Sequence, residues 1–189
     1  EVAAILLTHH HPDHADGAAR LRQLTGAPVR GFDKRYSMGA DPLADGEIIS
    51  FDGLTPTIEV VHTPGHTDDS VCFFIHTDGG TTDADVEGIA TGDTIAGRHT
   101  TMISETTGDL GQYLETLQGL AERGQGIRLL PGHGPDRENT ADLANKYLER
   151  REHRLRQVTE ALGVLGDDAT VGQIVDEIYT DVDPVLRHA

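Results

Sequence analysis

With 189 residues and a formal net charge of −17, the chain is long enough for one sizeable domain, or for one domain with a small appendage. Its single cysteine, Cys72, excludes a disulfide framework and a cysteine-based zinc site, so a reducing, cytoplasmic setting fits. Apolar residues at 37% suffice for a core, no apolar run approaches the ~20 residues of a membrane span, and the acidic balance disfavours nucleic acid except on a local basic strip.

In chain order, Val2 to Leu7 reads as a buried strand, a short apolar run with β-branched residues. Ala18, Leu21 and Leu24 recur at helical spacing from Asp13 to about Leu24, and Thr25-Gly26 ends that helix. Pro28 to Phe32 is a short strand. Glu47 to Phe51 and Thr57 to His62 are two more, joined by the turn Asp52-Gly53. Val71 to His76 is a strand, and an acidic loop from Thr77 to Gly88 leads to a short one at Ile89 to Thr91. Gly108 to Arg123 is an amphipathic helix with Leu110, Tyr113, Leu114, Leu117 and Leu120 on one face. A strand at Ile127 to Leu130 is followed by a long helix, about Thr140 to Leu162, with Leu143, Tyr147, Leu148, Leu155 and Val158 as its apolar stripe. Thr170-Val-Gly-Gln173 is a capping box for a short helix to Tyr179. The pattern is α/β with a helical tail, and the change falls at 139/140: a metal-hydrolase domain over 1–139 and a C-terminal region over 140–189.

Four strand-like runs stop at turns rich in Gly or Pro that carry His or Asp. They are Thr8-His9-His10-His11-Pro12-Asp13-His14, Thr63-Pro64-Gly65-His66-Thr67, Thr91-Gly92-Asp93-Thr94 and Pro131-Gly132-His133-Gly134-Pro135. Strand ends of α/β sheets converge on one edge, where ligand sites form. Zinc accepts imidazole nitrogens and carboxylate oxygens and leaves a position for water. His9 and His11, two apart in extended chain, point the same way. Asp13 and His14, past Pro12, face a second point nearby, and a carboxylate such as Asp93 is able to bridge two metals. A hydroxide shared by two such ions is a nucleophile whose attack both ions assist.

These motifs, in this order, resemble the metallo-β-lactamase superfamily. The resemblance implies an αββα sandwich. It assigns His9, His11 and His66 to one metal, Asp13, His14 and His133 to a second, and Asp93 to the bridge. Asp13 is also the candidate that orients the nucleophile or accepts its proton. The implied cofactors are two zinc ions, with iron or manganese as alternatives. The string TPGHTDD, GDTI-x-GR-x-TT, LLPGHGP and the Arg-rich helix is similar to the branch of β-lactamase-like protein 2, whose members carry a winged-helix-like tail; Thr170 to Leu186 resembles its start. Ser70 stands where some members of that branch carry another His. The first strands of the family fold are missing before Thr8, and the tail is cut short, so a longer gene product is expected.

The expected function is a hydrolase whose hydroxide bridges two zinc ions. Its substrate is single-stranded RNA by branch resemblance and the cluster Arg150, Arg151, Arg154 and Arg156. The alternatives are a thioester or ester of a small acid, as in glyoxalase II-type relatives, or a non-catalytic metal- or nucleic-acid-binding module. No membrane partner is expected, and a homodimer is among the states left open. The Arg cluster reads more simply as a solvated helix face paired with Glu149 and Glu152. His10 is expected to face solvent or support the ligands. His62, His76, His99, His153 and His188 are ordinary histidines, Thr63 and Thr67 either brace the ligand loops or are plain turn residues, and Cys72 is a buried small hydrophobe.

Overall fold

The computed structural model describes residues 2–53, 55–77, 80–98 and 100–180. His99, His188 and the 181–186 end of the tail lie outside them. The chain divides into two compact units, Glu1–Asn145 and Lys146–Ala189.

The first unit is layered by strand alternation. Strand β1 (Ile5–Leu6) pairs in parallel with β2 (Val29–Arg30). Ile5 and Leu7 point to one side, where they pack with Ala15, Ala18, Ala27 and Val29 under α1 (Pro12–Ala15) and α2 (Ala18–Thr25). Leu6 points to the other side, into a second core formed by Leu43, Ile49, Val60, Val71 and Phe73. Those residues belong to a five-stranded sheet ordered β3 (Ile48–Ile49), β4 (Thr57–His62), β5 (Val71–His76), β6 (Val86–Gly92) and β7 (Arg128–Pro131). All neighbours are antiparallel except β6 and β7. Central β5 is buried on both faces from Val71 to Phe74, Cys72 included, which is why it reads as a continuous apolar run. Its far face meets α3 (Leu110–Arg123), whose buried line is Tyr113, Leu117, Leu120 and Ala121. The order helix, sheet, sheet, helix is the expected αββα arrangement.

Several expected boundaries move. Val2 to Leu7 contributes only Ile5–Leu6 to a ladder, and Pro28 to Phe32 only Val29–Arg30. The helix expected over Asp13 to Leu24 is two helices, because the chain breaks at Asp16-Gly17. Its Leu21 and Leu24 are exposed, and the small residues Ala15 and Ala18 make the contact instead. Strand β6 begins at Val86, inside the expected acidic loop, after a 3-10 turn at Asp83–Asp85.

Helix α4 (Thr140–Leu165) contains the division between the units, a few residues after the expected 139/140 change. Leu155 of its expected stripe is exposed, whereas Ala141, Ala144, Tyr147 and Ala161 are buried. Helix α5 (Val171–Ile178) opens on the expected capping box of Thr170 and Gln173. Among the described residues no helix is long and apolar enough to cross a membrane.

Candidate metal centre

The four turns meet at one edge of the sandwich. His9 and His11 follow β1, His66 lies in the turn between β4 and β5, Asp93 follows β6 and His133 follows β7. Asp13 and His14 ride on α1, which Pro12 opens at its first position. Two sets of ligand atoms result, each mutually within 4.8 Å: His9, His11, His66 and Asp93 in one, Asp13, His14 and His133 in the other.

In the first set, His9 Nε2 lies 3.1 Å from His11 Nδ1 and 3.3 Å from His66 Nε2, and His66 Nε2 lies 3.0 Å from His11 Nδ1. The second nitrogen of two of these rings is committed elsewhere. His66 Nδ1 donates to the Met102 carbonyl at 2.5 Å, and His9 Nδ1 meets the Thr8 hydroxyl at 3.1 Å. His66 Nε2 is therefore a lone pair, and the facing nitrogens of His9 and His11 converge on the same point. A tetrahedral ion with metal–nitrogen bonds of 2.0–2.1 Å requires ligand nitrogens about 3.3 Å apart. The triangle matches that edge, and with all three nitrogens as lone pairs it is a repulsive arrangement without a cation. Burial, then the neighbouring His14 and His66, pushes His9 down from 6.5 to about 3. Burial and His66 lower His11 as well. Both rings are thus ready to offer a lone pair at neutral pH.

The second set is more open: the side chains of Asp13 and His133 are more than half exposed. His133 Nε2 lies 3.0 Å from Asp13 Oδ2 and 3.3 Å from His14 Nε2. Asp93 reaches both sets. Its Oδ1 is 3.2 Å from His14 Nε2, and its Oδ2 is 3.6 Å from His133 Nε2 and 3.9 Å from His66 Nε2. Oδ1 is buried and makes no hydrogen bond of acceptable geometry, so an oxygen that shares the carboxylate charge is left for another partner. Burial alone would raise the Asp93 carboxyl, but His14, His9 and His133 together hold it below the usual carboxylate range. The same carboxylate raises His14. For Asp13, burial again acts upward, and its backbone hydrogen bond, His14 and His133 outweigh it. The donor set fits two divalent cations sharing Asp93.

Glycine makes room for this packing. A Cβ on Gly132 would stand 2.7 Å from His14 Cε1 and 2.8 Å from Asp93 Oδ1. The TPGHT glycine, Gly65, has φ +132°, and a Cβ there would fall 2.3 Å from Tyr113 Cα. Buried Thr63 and Thr67 brace the loops: Thr63 Oγ1 meets Cys72 Sγ and Thr94 Oγ1, and Thr67 Oγ1 donates to Asp69 Oδ1.

Beside the ligand atoms lies a cleft of about 330 Å³ whose remaining wall is Ala96, Arg98, Thr100, Thr101 and Met102. Arg98 is exposed and, among the described residues, is the one Lys or Arg side chain lining it, and Met102 is 79% exposed. Sequence reasoning missed these residues, and Asp69 with them. Arg98 had a signal in the GDTI-x-GR string, whereas Met102 acts through a carbonyl that no side-chain pattern reveals. Of the other described histidines, His76 is fully buried, His153 is exposed, and His62 stacks on Phe32 at 4.2 Å.

Comparison with known proteins gives one answer at the level of family. The model of the Metallo-beta-lactamase superfamily matches residues 1–151. An atrochrysone carboxyl ACP thioesterase of Aspergillus fumigatus is 33% identical over 176 residues, covering 90% of this chain and 51% of its own length. The chain spans a third to a half of the length of the curated relatives it matches. Among solved structures, the metallo-beta-lactamase family protein TTHA1429 of Thermus thermophilus superposes with a TM-score of 0.71 at 20% identity, over 94% of this chain and 69% of that one. TTHA1623, solved in a di-iron-bound form, gives 0.60 at 23% identity, over 78% and 76%. With four motif turns converging on two sets of ligand atoms in an αββα fold, the chain belongs to the metallo-beta-lactamase superfamily.

Proposed function

We propose that this chain is the metal-binding core of a hydrolase that cleaves a thioester of an anionic or polar acyl group. The observation that carries the reading is Asp93, whose two carboxylate oxygens face both sets of imidazoles and one of which is buried without a hydrogen bond. His9, His11 and His66 would hold one ion, Asp13, His14 and His133 the other, with Asp93 shared. Zinc suits the imidazole-rich set, and the di-iron form of TTHA1623 supports iron as the alternative. Bound divalent ions supply Lewis acidity and lower the pKa of water.

The chain's own groups supply the rest. Asp13, exposed and kept ionised by His14 and His133, is placed to accept a proton at Oδ2. Arg98 is placed to take an anionic end of the substrate, a need sharpened by the net charge of −17. The exposed Met102 thioether offers an apolar surface to an acyl chain. The thioesterase name of the A. fumigatus relative supports the substrate class. The RNA reading leans on the Arg cluster, where Arg154 lies over the Tyr179 ring at 4.5 Å and Arg156 faces Glu152 at 3.9 Å. Two of those cations are already engaged, and the thioester reading is the stronger. The single buried Cys72 supports a reducing compartment.

The test is thiol release from a panel of acyl thioesters, on coenzyme A and on carrier protein, by protein loaded in turn with zinc, iron and manganese. The expected outcome is metal-dependent release, with about two ions per chain. Asp93→Ala is expected to lose at least one ion and nearly all turnover. A fully loaded protein that releases no thiol but cuts single-stranded RNA would reverse the substrate assignment.

A further inference from the structure

Between the two ligands His9 and His11 sits a histidine that faces neither set. Chain alternation turns His10 away from them, against Tyr36 at 5.7 Å, and its Nδ1 donates to Asp69 Oδ1 at 2.6 Å. Asp69 is buried, and the same oxygen accepts from Thr67 Oγ1 at 2.8 Å. Thr67 in turn meets Ser70 Oγ at 2.7 Å and follows His66 directly. One carboxylate oxygen therefore joins two loops 59 residues apart in sequence, each carrying ligands of the three-imidazole set.

We propose that Asp69 is a positioning residue for that set: through His10 and Thr67 it holds His9, His11 and His66 in the tight triangle that a cation requires. The reasoning rests on the metal-binding reading above. In the tautomers that bind a cation, three lone pairs 3.0–3.3 Å apart repel one another before an ion arrives, so groups other than the ligands must keep them together. One backbone bond already joins the two loops, Val71 N donating to Thr8 O at their strand ends, and Ser104 N donates to His66 O. The short charge-assisted bond from His10 to Asp69 adds a side-chain tie across them, and its donor sits on the residue whose backbone aims both neighbouring rings. Removing it leaves every ligand atom and the Val71–Thr8 backbone bond in the chain but frees the two loop tips from one another.

The experiment titrates cobalt(II) into the metal-free full chain, reading stoichiometry and affinity by visible absorption against a competing chelator. Variants are Asp69→Ala, Asp69→Asn, His10→Ala and the double alanine. One of the two ions is expected to bind about 10–100-fold more weakly in Asp69→Ala and in His10→Ala. The affinity of the other ion is expected to be unchanged. The double variant is expected to lose no more than the single ones, and Asp69→Asn, which keeps an acceptor for His10, to recover most of the loss. A general loss of structure would weaken both ions together. Unchanged cobalt affinity in Asp69→Ala, equal weakening of both ions, or multiplicative losses in the double variant would overturn the proposal. If Asp69→Ala does not fold, His10→Ala and Asp69→Asn carry the same comparison. Wild-type protein that binds no cobalt overturns this proposal and the metal-binding reading alike. Wild-type protein that binds two ions but cleaves no thioester overturns only the substrate assignment.

Discussion

A single methyl group at Gly132 would collide with two of the residues that face the metal sites, and neither has room to retreat: His14 is largely buried and Asp93 is held between both sets. Gly132→Ala is expected to reduce metal content from two ions toward one while the chain stays folded, checked by metal analysis beside circular dichroism. His9 contributes to the pH dependence of the metal-free protein. Its folded value is about 3 against an ordinary 6.5, so between those limits the unfolded chain binds a proton that the folded chain refuses. The stability contributed by neutral His9 is complete above about 6.5 and is lost as the pH falls. His9→Gln is therefore expected to flatten the acid limb of a metal-free denaturation series between pH 6.5 and 4. An unchanged limb would show that His9 does not titrate differently in the two states.

At the scale of elements, α3 is the brace behind the site. Its Tyr113 hydroxyl donates to Thr94 O next to Asp93, its Thr116 hydroxyl donates to Pro64 O in the His66 turn, and its N-cap Asp109 receives the Gln112 amide. Asp109 N also donates to Gly65 O, so the helix start and the His66 turn are stitched together. The apolar stripe that the sequence displays thus anchors two metal-facing turns besides filling the core. Tyr113→Phe removes one fully buried donor and is expected to cost about 1 kcal/mol in denaturant unfolding. A larger fall in metal affinity than that cost implies would show that the hydroxyl positions the Asp93 turn.

For the whole molecule, the net charge of −17 sits on a chain that gathers seven candidate metal ligands at one edge. Self-repulsion of this size destabilises the compact state, and bound divalent cations would offset it where the carboxylates crowd. Chelation is therefore expected to lower Tm, by an amount that grows with the ratio of free metal to Kd in the untreated sample. Raising the ionic strength is expected to restore part of the loss through screening. A Tm that ignores chelator would mean that the sites are not occupied by metal under those conditions.

The sequence alone determined the strand-end motifs, the α/β pattern and the amphipathic stripe of α3, and its resemblance to a known family implied the αββα class and the seven residues that gather. The motifs are short-range signals: two-residue alternation at His9 and His11, a proline that starts α1 before Asp13 and His14, and glycine turns at Gly65, Gly92 and Gly132. The tertiary structure decided what depends on partners distant in the chain. It broke the first helix at Gly17 and left Leu21 and Leu24 exposed, because Ala15 and Ala18 allow the closer contact with β1 and β2. It turned His10 toward Asp69, His66 Nδ1 toward the Met102 carbonyl and Arg98 into the cleft wall. Local chemistry sets where a ligand can stand on its own turn; only the packing of turns tens of residues apart sets which lone pairs meet, and at what distance.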